Sequence, residues 1–168
     1  MGTNPLSPKE NFARAIRCPD EEINLGAAAL YAASSEFPDL DVIAYQGRIA
    51  QFGTKVKTLL PADYTNFEFV NSMHEVLFGK TGFTGDSKDY FDPRNSHLNE
   101  VIDRLKGNPV TLSIFYIEVA RVAGEKVRGI SLRKHFVVVV GTGEDRIYVD
   151  PFHGGGFLSR KECITNIL

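Results

Sequence analysis

Residues 109–150 read PVTLSIFYIEVARVAGEKVRGISLRKHFVVVVGTGEDRIYVD, and the periodicity changes partway along. Pro109–Ala123 is apolar nearly all round, with Glu118 and Arg121 its only charges, which predicts a helix buried on most sides. Pro109 suits a first helical position and Gly124 a left-handed terminus. Beyond Gly124 the repeat drops to two. Val127, Gly129 and Ser131 lead into a strand, His135–Val140 reads as a second and Arg146–Asp150 as a third. Gly141–Glu144 reads as a short hairpin loop. With a four-residue loop, Val140 faces Asp145, and His135 then stands directly opposite Asp150 with Cβ atoms about 5 Å apart. Phe136, Val138, Val140, Ile147 and Val149 fall on the other face. A carboxylate at that distance accepts the imidazole N–H and fixes its tautomer.

Upstream the chain reads helical. Ser7-Pro-Lys-Glu10 is a capping box, so a helix is expected over Pro8–Cys18. Asp20 is the expected cap of the next, which carries Gly26–Leu30. A third follows Pro38-Asp39, with Leu40, Ile43, Ala44 and Ile49 on related faces. A fourth spans Tyr64–Phe78, with Phe67, Val70, Met73, Leu77 and Phe78 as its stripe. Gly79–Asn95 is a loop in which Asp86, Asp89 and Asp92 serve as turn and cap residues; the spacing is not that of a calcium loop. Ser96 then caps a helix through Lys106 with Leu98, Val101, Ile102 and Leu105 inward, and Gly107 ends it. At the other end, Ser159 and Glu162 make a capping box for a last helix. A chain stopping inside that helix reads as a domain cut from a longer one. The expected organisation is one α+β domain over 1–168: helices over 7–106, a core helix over 109–123, antiparallel strands over about 126–158 and a terminal helix from about 159.

The chain has 168 residues, enough for one ordinary domain and too few for two. Its net charge of −2 and pI near 6.1 argue against a nucleic-acid binder and against a polybasic membrane contact. Ala27–Ala33, the longest apolar run near the start, is far short of a membrane span, and no basic and apolar leader opens the chain. Cys18 and Cys163 have no zinc or CxxC spacing, so neither a disulfide framework nor a structural metal is expected. A cytoplasmic protein is the expectation.

The His135–Asp150 pair is the orienting half of a nucleophilic triad. A third member belongs at the start of the buried helix, where the positive dipole end favours a thiolate. That turn offers Thr111, with Ser113 half a turn on, and no thiol. Thr111 has the plainer reading of a cap that bonds backbone, and Ser113 that of a small core residue. His153 with Gly154–Gly156 matches the HGGG oxyanion loop of lipases, but no GxSxG accompanies it. The glycines permit a tight turn whose N–H groups could hold an anion. Cys163 reads as a packing residue. A metal site of His135, Asp150, His153 and Cys163 fits no standard spacing, and no metal or other cofactor is expected. Asn95, Asn99 and Arg104 either brace a loop or line the groove above the histidine.

Three blocks together resemble a known family: DPRNSHLNEVIDRLKGNPVTLSIFYIEVARVAG over 92–124, KHFVVV over 134–139 and YVDPFHGGGFLSRKEC over 148–163. With Asn24–Asp41 and FTGDSKDYFDPRNS over 83–96, the resemblance covers nearly the whole chain. It is similar to the bacterial SirB-type branch of the transglutaminase-like superfamily, with a related domain in an F-box protein. The resemblance implies a papain-like fold, a helix on an antiparallel sheet, with a triad of Cys at the helix start, His on one strand and Asp on the next. It puts His135 and Asp150 on the last two positions. The nucleophile position falls near Pro109–Thr111, where this chain has no cysteine. Gly107-Asn-Pro-Val-Thr-Leu112 follows instead the branch's Gly-x-Pro-Ile/Val-Ser/Thr-Leu pattern. Leu132-Arg-Lys-His135 departs from the Pro-Gly that usually precedes the histidine. Members usually continue into a tetratricopeptide-like region.

Two functions are therefore expected as alternatives. One is a non-catalytic or weakly active regulatory domain binding a peptide or small polar ligand, with Asn95, Asn108, His153 and Gly154 around the dyad and a peptide or protein partner. The other is a hydrolase or acyltransferase using Thr111 or Ser113 with His135 as base and Asp150 as orienter. A scaffold role for the pair is the third reading.

Overall fold

The computed structural model describes residues 6–167. Among these residues seven α-helices and six strands run in the order α1 (Pro8–Ala15), α2 (Leu25–Ala33), α3 (Val42–Leu59), α4 (Asn66–His74), β1 (Thr84–Gly85), α5 (Leu98–Arg104), β2 (Lys106–Gly107), α6 (Pro109–Ala123), β3 (Val127–Leu132), β4 (His135–Val140), β5 (Ile147–Asp150), β6 (Gly156–Leu158) and α7 (Arg160–Ile167). Helices α2 to α6 pack around a core into which β4 and β5 press one face. β3-β4-β5-β6 form an antiparallel sheet in sequence order, and β1 and β2 a short parallel pair. This is the expected α+β architecture.

Helix α6 is the centre. Asn108 caps it, its side chain accepting from the Thr111 N–H, and Gly124 closes it at φ 106°. Its two charges pair: Nε and one Nη of Arg121 donate to Glu118 Oε2, at 2.9 and 2.8 Å, while the buried Oε1 has no partner among the described residues. Phe115 is 1% exposed and meets the rings of Phe83 and Phe52 at 4.5 and 5.5 Å. Tyr116 beside it is equally buried, and its hydroxyl finds no partner among the described residues. Burial pushes that phenol's pKa up. A buried hydroxyl without a bond costs desolvation and returns nothing, so Tyr116→Phe is expected to stabilise by about 1 kcal/mol, read as a higher urea midpoint at unchanged slope. A drop of that size would mean that a buried water satisfies the hydroxyl.

Several expected boundaries move. Helix α1 ends at Ala15, not Cys18. Asp20 starts a 3-10 turn, and Asn24 caps α2 through a bond to the Ala27 N–H. Helix α3 starts at Val42, with Asp41 as its cap. Thr65 and Glu68 form the capping box of α4, which passes into a π-helical turn over Glu75–Lys80. Ile43 and Phe67, read as inward, are 79% and 57% exposed. The presumed loop holds β1 and a 3-10 turn over Pro93–Ser96. Helix α5 has no side-chain cap from Ser96, and Gly107 belongs to β2, not to a helix end. Nearer the C-terminus, β5 begins at Ile147, one residue later than expected. The box of Ser159 and Glu162 does cap α7.

The β4–β5 register is corrected by two. Val140 pairs with Ile147, Val139 with Tyr148 and Val138 with Val149, so the connection spans 141–146 rather than 141–144. A slip of one would have turned every side chain over; a slip of two leaves the faces unchanged. His135 and Asp150 therefore share a face but stand diagonally, a separation that an imidazole spans. Val138, Val140 and Val149 pack into the main core, while Val137, Val139 and Tyr148 pack with Cys163 of α7.

Candidate functional site

The dyad forms. His135 Nε2 and Asp150 Oδ2 are 2.8 Å apart. The turn after β5 builds the site: Asp150 Oδ1 accepts from the Phe152 and His153 N–H groups at 3.0 and 3.2 Å, locking the carboxylate plane. The same turn folds His153 back, and its Nδ1 lies 2.7 Å from Oδ2, so one oxygen meets two imidazoles. Gly154 and Gly155 take φ values of 66° and 78°, which side chains rarely adopt. Asp150 is 4% exposed, whereas the side chain of His153 is 69% exposed. The ring of Phe152 stands edge-on to both histidines, and Gly85 of β1 fits beneath it: a Cβ there would lie 2.4 Å from the ring.

His135 lines a cleft of about 560 Å³ together with the tip of α6, Asn108, Pro109 and Val110. Tyr90, Phe91 and Lys134 complete the rim, and Phe91 is 93% exposed. Sequence reading missed these three; the signal was two adjacent aromatics in an otherwise polar loop. Lys134 explains the departure from Pro-Gly. It occupies the second position of the two-residue turn between β3 and β4 at φ 65°, the left-handed conformation that glycine adopts freely. A lysine there costs about 1 kcal/mol and adds a cation to the rim.

The other expected site residues are placed differently. The Thr111 hydroxyl is buried and donates to the Asn95 carbonyl at 2.5 Å. Ser113 is 0% exposed with an unpartnered hydroxyl. Neither lines the cleft. Asn95, 1% exposed, braces the loop, donating to the Asp89 carbonyl and accepting from Arg104. Arg104 also pairs with buried Asp86 at 3.0 Å. Asn108 reaches the cleft, though its side chain is spent on capping α6 and on Ser96. Bonds from Arg94 hold the Asp92 carboxyl down at about 2. Burial pushes the Cys163 thiol up, as expected of a packing residue. Among the described residues no helix is long and apolar enough to cross a membrane.

A central helix packed on an antiparallel sheet, its first turn sharing a cleft with a strand histidine that is bonded to an aspartate on the next strand, matches the papain-like class of α+β domains. A family model described as the transglutaminase-like superfamily matches residues 43–168, and the chain belongs to that superfamily. Among curated proteins it is 34% identical over 143 residues to a UPF0162 protein of Xylella fastidiosa, covering 85% of this chain and 51% of that protein. It is 35% identical over 80 residues to a UPF0162 protein of Vibrio cholerae, 47% of this chain and 30% of that one. It is 29% identical over 104 residues to human F-box only protein 21, 57% of this chain and 17% of that one. The chain thus spans about half the length, or less, of these relatives. No solved structure matches it significantly.

Proposed function

We propose that this domain binds a peptide in the cleft beside His135 without cleaving it or transferring an acyl group, in a regulatory role in the cytoplasm. The observation that carries the reading is the side chain at the helix tip. Val110, 46% exposed, lines the cleft within Pro109–Thr111, the stretch where the family resemblance puts the nucleophile. Valine has no group to attack with. The buried hydroxyls of Thr111 and Ser113 lend the hydrolase alternative no support. A peptide suits the cleft because Ser131 and Leu132 of β3 line it, and β3 is an edge strand paired only with β4 among the described residues. An extended chain could add to that edge while Phe91 and Tyr90 take an apolar side chain.

Peptides selected by display on the immobilised protein, in buffer containing a chelator, are expected to bind His135→Ala at least about tenfold more weakly, the loss of one charge-assisted hydrogen bond. The wild-type protein is expected to leave a panel of amides, esters and acyl donors unturned. His135-dependent turnover of any of them would overturn the reading.

A further inference from the structure

The papain-like arrangement accounts for one imidazole on the aspartate. This chain has two, on one oxygen, and the second comes from a solvent-exposed residue that no triad uses. His135 Nε2 and His153 Nδ1 both lie against Asp150 Oδ2, and one ligand atom from each of the three residues lies within 4.8 Å of the other two. We propose that these three atoms bind a divalent zinc ion.

The donor set suits the ion. Two imidazoles and a carboxylate with a fourth position left to water is a common open zinc site. Tetrahedral zinc with bonds of about 2.0–2.1 Å sets its ligand atoms about 3.3 Å apart. The two nitrogens now stand 2.8 and 2.7 Å from Oδ2, so these gaps open by about 0.5 and 0.6 Å to admit the ion. His153 can supply most of that movement, being exposed and carried on a glycine-rich turn. The carboxylate is already oriented, because Oδ1 is held by two backbone N–H groups, the kind of support that ligating carboxylates need. Phe152 buttresses both rings on one side. The fourth position is left to water, His153 being exposed to solvent. The sequence spacing hid this site, because the ligands come from two strands and a turn rather than from one local motif. Cys163, grouped with these residues on sequence grounds, is not a ligand: it lies in the apolar cluster under β4 and β5.

The inference goes beyond peptide binding and does not depend on it. Both use His135, so His153 separates them. The metal-free chain is titrated with zinc chloride in a non-coordinating buffer by calorimetry, and with cobalt(II) while the visible d–d absorption is followed. One ion per chain is expected, with a Kd tighter than about 10 µM. His153→Ala, at an exposed position, is expected to keep the near-ultraviolet circular dichroism of the wild type and to weaken zinc at least about tenfold. His74→Ala, His97→Ala and Cys163→Ser are expected to bind zinc as the wild type does. No saturable binding below about 100 µM, or binding that His153→Ala leaves unchanged, overturns the proposal. Loss of zinc in His153→Ala with peptide binding intact keeps the two readings apart; peptide binding that fails while zinc binds as described overturns the peptide reading alone.

Discussion

Asp150→Ala is expected to lower stability by about 3 kcal/mol. The cost does not come mainly from the histidines. Oδ1 accepts the Phe152 and His153 N–H groups, and Asp150 and Phe152 are only 4% and 8% exposed. Removing the acceptor strands donors where water has poor access, at about 1–3 kcal/mol for each buried one. The turn that carries His153 would loosen, and Phe152 would lose the anchor that sets it against Gly85 and both histidines. For a domain of this size the loss corresponds to a melting temperature about 6–12 °C lower. Asp150→Asn separates the causes. Its amide oxygen still accepts the turn N–H groups, so it is expected to cost about 1 kcal/mol. Equal losses for the two variants in urea denaturation would show that the carboxylate's charge, rather than the turn, carries the stability.

Phe115→Ala is expected to cost about 4 kcal/mol, a large share of the 5–15 kcal/mol that holds a typical domain together. Phe115 lies on the face of α6 that meets α3 and the chain around β1, where its ring contacts Phe52 and Phe83. Alanine leaves a cavity among rigid rings that collapse poorly around it. Phe115→Leu keeps most of the volume and is expected to cost about 1.5 kcal/mol. Urea midpoints for the pair decide the matter; similar costs would mean that the surrounding helices close the cavity.

The parts of the fold that could be read residue by residue share a physical feature. Helix α6 has proline at its first position, glycine past its last and apolar residues on nearly every side, so both boundaries are written locally. Strand β4 is a run of valines between a turn and a glycine. Where two residues competed for one role, local chemistry did not choose. Asp20 and Asn24 are both good caps, as are Asp39 and Asp41, and the choice depends on which start lets the helix pack. Periodicity likewise drew a stripe through Ile43 and Phe67 without saying whether anything covers it, and both are exposed. For the site, His135 and Asp150 were legible because alternation along strands fixes faces even when the register is wrong by two. His153 at hydrogen-bonding distance, and Val110 in the cleft, were not.

The amino-acid pattern alone determined the longer helices and the strands β3 to β5, that the dyad shares one sheet face, and that no thiol stands at the start of α6. These follow from neighbours in sequence, through side-chain period, caps and residue chemistry. Only the tertiary structure decided the six-residue connection that sets the dyad diagonally, the sealing of Thr111 against Asn95, the exposure of Val110 and Phe91 at the cleft, and the turn that brings His153 onto Asp150. Each of those depends on segments distant in sequence settling which atoms can be buried together, and packing makes that choice only once the whole chain has condensed.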